Sequence, residues 1–174
     1  LPAAPTIGTA AALSETSIRW SFTDNASYEE GFKLHDTSHT VKVTSLTQDL
    51  AYLDESGLTA NTQYQRHVVA YNVTGDSSDS SSESRYTLPV SPDVTADKSP
   101  STWYNTTDVE FTNDAGFVAG GIEYYRYAWD QNSSHIFDDT EDQWSSSTLT
   151  KTASADGSWY LHVKSFNGDD IANG

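Results

Sequence analysis

Apolar and polar residues alternate along short runs of this chain, and clusters of Gly, Asn, Asp and Ser separate the runs. Successive side chains of a strand point to opposite faces, so the alternation predicts half-buried strands. In the first half the runs are TSIRWSF, with Ile18, Trp20 and Phe22 inward, GFKLH, with Phe32 and Leu34 inward, and then TVKVTSL, QYQRHVVAYN and SESRYTL. In the second half they are TDVEFT, GIEYYRYAW, TLTKTA and SWYLHVKSF. No useful window repeats apolar residues at the helical period of about 3.6 residues, so the pattern predicts an all-β chain with almost no helix.

Two stretches set the expected domain organisation. LPVSPDVTADKSP, with Pro89, Pro92 and Pro100, removes ladder donors and favours extended backbone. Residues 89–98 therefore read as a linker between a first domain, 1–88, and a second, 99–174. The opening LPAAP repeats the spacing of Leu88 to Pro92, as expected of a segment excised from a tandem array, and the absence of an initiator Met agrees. The last strong run places Trp159, Leu161 and Val163 on one face and Tyr160, His162 and Lys164 on the other. The turn residues NGDD follow it. A seventh strand should come next, so the second domain is expected to lack its last strand and to carry an open edge at Trp159, Leu161 and Val163.

Composition narrows the function. With 174 residues, 36% hydrophobic and 12% aromatic, the chain can bury a core in one large or two small β-domains. It has no cysteine, which removes disulfides, thiolate metal sites and cysteine nucleophiles. A net charge of −16 repels a phosphate backbone, so nucleic acid is not an expected partner. No apolar run reaches the roughly 18 residues of a membrane span.

Residues 5–88 resemble a fibronectin type III domain. The resemblance is carried by SIRWSF with its core Trp20, by DNASYEEGFKLH, and by GLTANTQYQRHVVAYNVTG, in which Leu58 and Tyr64 stand at the spacing of the family's tyrosine corner. It implies a β-sandwich whose structural core includes Trp20, Leu58 and Tyr64. Arg66 stands where the family places an inward apolar side chain, and its stem is expected to be buried with the guanidinium reaching a carboxylate or solvent. Residues 93–174 resemble a bacterial Ig-like surface module through DGSWYLHV and the NGDD loop after it. Together the resemblances imply two tandem sandwiches of a cell-surface or extracellular protein.

The sharpest candidate for chemistry is DQNSSHIFDDTE. It places Asp130, Asn132, Ser134, Asp138 and Glu141 at the ligand positions of a calcium loop, with His135 where that template demands glycine and strands where it has helices. Two readings stand, an acidic solvated loop and a hard-cation site that would make calcium the one cofactor. Asn25, Asn72, Asn105 and Asn132 head N-x-S/T sequons in turns or loops, candidate glycosylation sites. Among the aromatics, Tyr125, Tyr127 and Trp129 share a core face, leaving Tyr124, Tyr160 and Trp144 as rings that could meet a sugar. His35, His39, His67, His135 and His162 read as surface residues, because a four-residue spacing serves metal on a helix and not across a strand end. No nucleophile elbow, phosphate loop or zinc signature is present, so no catalysis is expected. The expected role is a non-catalytic module of a surface-layer, fibre or adhesin protein, partnered by neighbouring domains or subunits, its missing strand supplied either by following residues of the same polypeptide or by strand addition from a neighbouring subunit. The alternative is an accessory spacer or glycan-binding region of a secreted polysaccharide-active enzyme.

Overall fold

The computed structural model describes residues 1–146 and 148–173, and every regular helix or strand among them is a β-strand. The chain forms two compact units, Leu1–Thr87 and Leu88–Gly174. The first runs through β1 (Thr6–Ile7), β2 (Ala11–Ser14), β3 (Ser17–Thr23), β4 (Gly31–His35), β5 (Val41–Ser45), β6 (Tyr52–Ser56), β7 (Gln63–Asn72), β8 (Gly75–Asp76) and β9 (Glu83–Tyr86). One antiparallel sheet is built on β3, which pairs with β1, β2 and β6. The other runs β5, β4, β7, with β8 and β9 also on β7. Ile18, Trp20 and Phe22 of β3 meet Phe32 and Leu34 of β4 and Val68 and Ala70 of β7, so the faces expected from alternation are the buried ones.

Residues 88–173 repeat the plan. The strands are β10 (Val94–Ala96), β11 (Asp108–Asn113), β12 (Tyr124–Asp130), β13 (Asp142–Trp144), β14 (Thr148–Thr152), β15 (Tyr160–Phe166) and β16 (Ala172–Asn173). They form sheets ordered β10-β11-β14 and β13-β12-β15-β16, all antiparallel. Phe111, Ile122, Tyr125, Tyr127 and Trp144 make the core between them. Tyr125 is wholly buried, and its hydroxyl accepts the Asp93 N–H at 3.1 Å and donates to Asn113 Oδ1 at 3.0 Å.

The stretch expected to be a linker lies within this second unit. Pro89 is fully buried, the Val90 N–H donates to the Gly121 carbonyl at 3.1 Å, and Val94–Ala96 pairs with Phe111–Asn113. Prolines preset the extended backbone that an edge strand needs, and the donors they lack belong at an edge. A two-residue strand, Ala172–Asn173, follows the NGDD turn, where the second domain was expected to lack its last strand. Asn167 shapes the turn, its side chain accepting the N–H groups of Asp169 and Ile171, while Asp170 adopts φ 58°. The chain then reverses so that Ala172 and Asn173 pair with Phe166 and Ser165.

β6 escapes the alternation pattern because one of its inward residues is charged. Leu53 and Glu55 are both buried, and Glu55 faces Arg66, itself 6% exposed. The Arg66 guanidinium donates to both Glu55 carboxylate oxygens at 2.6–3.1 Å, and the Trp20 indole N–H donates to Oε2 at 3.1 Å. Arg66 thus reaches a carboxylate, the first of its two expected fates. Nearby, the Tyr64 hydroxyl accepts the Thr59 N–H at 2.9 Å while Leu58 packs on the core, which is the tyrosine-corner arrangement.

Removing one partner of a buried ion pair strands the other. Arg66→Met is expected to destabilise the first unit by about 3–5 kcal/mol. The double variant Glu55→Leu/Arg66→Met should recover most of that loss, apart from the cost of the freed Trp20 N–H. Urea denaturation measures both, and a double variant as unstable as the summed singles contradicts the account. Trp20→Ala should cost about 3–5 kcal/mol through lost burial and cavity formation. Calorimetry should place that loss in the first unit's transition and leave the second unit's unmoved.

Candidate functional site

β15 is paired along its whole length with β12 on one side. On the other side β16 covers only Ser165 and Phe166, so Tyr160 to Lys164 have no strand partner there among the described residues. A groove of about 540 Å³ runs along this edge, walled by Val94 and Ala96 of β10, Phe111 of β11 and Trp159 to Val163. Leu161 and Val163 lean onto the core, and Trp159 stacks on Trp129 with ring centroids 5.3 Å apart. The three residues expected at an open edge therefore line one side of this groove, whose wall mixes apolar side chains with Ser133, Tyr160 and His162.

The acidic loop after β12 turns its carboxylates on itself. Asp130 Oδ1 accepts the Asn132 N–H at 2.7 Å, Asp138 Oδ1 accepts from the Thr140 N–H and hydroxyl, and Glu141 Oε1 accepts the Asp138 N–H at 3.0 Å. The left-handed residue is Asp139, φ 69°, not His135. His135 instead lies 2.9 Å from Glu141 Oε1 and stacks on His162, while Ser134 is exposed. Among the described residues, the acid and histidine groups whose ligand atoms gather lie elsewhere, in the first unit. Burial opposes ionisation of Glu141 most, yet the hydrogen bonds from His135 and the loop backbone outweigh it and hold the carboxyl at about 2.

The aromatic expectations divide. Tyr125 and Tyr127 are core, but Tyr124 and Trp144 are buried rather than exposed. Tyr124 lies flat on Phe166 at 5.1 Å with its hydroxyl donating to Asp170, and Trp144 sits opposite Tyr125 in the sheet and closes the core. Phe166 and the turn carrying Asp170 cover Tyr124, while Trp144 packs from β13 onto Phe117 and Tyr125, and neither arrangement is visible in alternation. Tyr160 remains exposed, as do Trp103 and Tyr104. Of the sequon residues, Asn25 and Asn72 spend their side-chain amides on the carbonyls of Ala4 and Tyr28, whereas Asn105 and Asn132 are exposed loop residues.

Sequence reasoning missed one constellation. Three of the chain's five histidines, His35, His39 and His67, converge with Asp79, their ligand atoms all within 4.8 Å of one another. His35 and His67 face each other across the β4–β7 pair. Asp36 folds the following turn by accepting the N–H groups of Ser38 and Thr40, and His39 takes φ 58° there, which brings its ring to 4.9 Å from that of His67. Asp79 is delivered by a segment strapped to β7, where Ser77 N–H and Ser80 N–H donate to the Ala70 and Val68 carbonyls. Asp79 lies 3.4 Å from His67 and 3.6 Å from His39. His35 and His67 are buried, not surface residues, and both ring nitrogens of His35 and Nε2 of His67 lack hydrogen bonds. Each such orphan costs about 1–3 kcal/mol. Burial, followed by the neighbouring His67, pushes the His35 imidazole below its ordinary value, favouring the neutral ring. The only sequence signal was the H-x-x-x-H spacing, which a bulge at Leu34/His35 and a tight turn make productive in a hairpin.

The strand pairing compares with solved structures. A two-domain fibronectin type III segment of chicken tenascin matches over 98% of this chain and 97% of its own length, with 13% identity and a TM-score of 0.55. The FN5 domain of Drosophila Lar matches 52% of this chain over its full length, with 22% identity and a TM-score of 0.39. No family model and no curated protein matches the sequence. The chain thus has the fold of tandem fibronectin type III domains. The tenascin segment covers both units, and the bacterial Ig-like resemblance of the second half is not confirmed by these comparisons.

The depressed Glu141 carboxyl makes a pH prediction. Its folded value of about 2 lies below the ordinary 4.5, so its stabilisation is present above pH 4.5 and is lost as pH falls from there towards 2. The second unit's melting temperature should drop across that window, and Glu141→Gln should flatten the drop. Equal slopes in parent and variant contradict it.

Proposed function

We propose that this chain is a non-catalytic structural segment of an extracellular surface-layer, fibre or adhesin protein, and that its second unit assembles by strand addition at β15. The observation that carries the reading is the unpaired edge of Tyr160 to Lys164 beside a groove of mixed polar and apolar lining, contiguous with the short pairing of β16. Unpaired backbone groups next to apolar side chains are what an added strand satisfies, with hydrogen bonds from its backbone and alternate side chains in the slot. An extended segment antiparallel to β15, in register with Ala172–Asn173, fits that edge.

The net charge of −16 and exposed sequon residues such as Asn105 and Asn132 suit a solvated, glycosylated surface. The described residues contain no helix long and apolar enough to cross a membrane. The glycan-binding alternative was placed on rings at Tyr124, Trp144 and Tyr160, and the first two are buried.

Hydrogen exchange tests the reading. In the assembled protein the edge amides within Tyr160 to Lys164 should exchange much more slowly than in dilute monomer. Exchange that is unchanged on assembly refutes strand addition at this edge.

A further inference from the structure

We propose that His35, His39, His67 and Asp79 form a four-ligand Zn²⁺ site in the first unit. The inference is independent of the open edge in the second unit.

The donor set fits the ion. Imidazole nitrogens and one carboxylate suit zinc, and a closed set of four suits its tetrahedral structural sites. Tetrahedral ligands at zinc distances stand about 3.3 Å apart. The atoms here gather within 4.8 Å, so modest rotation of side chains closes the shell. The three rings lie steeply inclined to one another, at 66–82°, so their nitrogens can meet at a common centre without the rings stacking.

The buried histidines are the second observation. His35 and His67 are 7% and 5% exposed, and both ring nitrogens of His35 and Nε2 of His67 make no hydrogen bond, Nε2 of His67 standing 3.4 Å from Asp79 Oδ1. A bound ion takes up one ring nitrogen of each. The other two ligands are open to solvent, His39 at 64% and Asp79 at 44% of their side chains, which gives the ion a way in. Local hydrogen bonds already position both outer ligands: Asp36 holds the turn that presents His39, and the Ser77 and Ser80 straps hold Asp79. Binding therefore staples the β4–β5 turn and the segment after β8 onto the β4–β7 pair. The acidic chain enriches cations around it, but a hard cation does not explain three imidazoles.

The test uses the untagged chain stripped with chelator. One equivalent of Zn²⁺ should raise the first unit's melting temperature, because a ligand that binds only the folded state stabilises it. Co²⁺ in its place should give the visible absorption of a tetrahedral site. His39→Gly suits the positive φ and Asp79→Asn keeps the shape, so both should match the parent's metal-free melting. Each should weaken zinc binding by at least about 10–100-fold, the loss typical of even outer-shell changes. His162→Ala, in the second unit, should leave the response intact. No zinc-dependent shift, a shift undiminished in both first-unit variants, or a shift abolished by His162→Ala overturns the proposal.

Discussion

Two sheets that face each other leave no water between them, so every polar atom turned inward must find a partner in the protein or cost stability. That constraint governs the first unit. Glu55 is tolerable in β6 only because Arg66 and the Trp20 indole meet it, and Trp20 is thereby held in the centre of the core. The same rule places the Tyr125 hydroxyl between the Asp93 N–H and Asn113 in the second unit. At His35 and His67 the rule is left unsatisfied by the protein itself. An orphaned polar group at a rigidly built position is a more specific signal of a ligand than charge or exposure, because the chain sustains its cost.

The backbone obeys the same rule at the sheet edges. β3, β4, β7 and β12 lie inside their sheets and are paired on both sides, and the prolines around β10 suit an edge because they carry no donor. β15 departs from this protection. Its stretch from Tyr160 to Lys164 has no strand partner on the β16 side among the described residues and borders a groove where Val94, Ala96, Phe111, Leu161 and Val163 stand beside Ser133 and His162, so unpaired backbone and uncovered side chains coincide on one line. A single extended segment resolves both, whereas a small ligand would satisfy one and leave the other.

Alternation in the sequence determined the all-β class and the inward faces at Ile18, Trp20, Phe22, Phe32 and Leu34, and the resemblance to a fibronectin type III domain pointed to the tyrosine corner of Leu58 and Tyr64. These follow from spacing along one strand or from a turn next to it, and local geometry carries them. Tertiary structure alone decided the rest. β6 was hidden because Glu55 looks like a solvent residue until Arg66, eleven positions on, is seen opposite it. Tyr124 became buried because Phe166 and the Asn167 turn cover it, Trp144 because β13 carries it onto Phe117 and Tyr125, and Val94–Ala96 within the 89–98 stretch became a strand because β11 was there to pair with it. The histidine cluster joins one strand end, one turn, a neighbouring strand and a strapped loop. Linear spacing cannot reveal such a site, since the distance between ligands is set by strand register and turn geometry rather than by their separation along the chain.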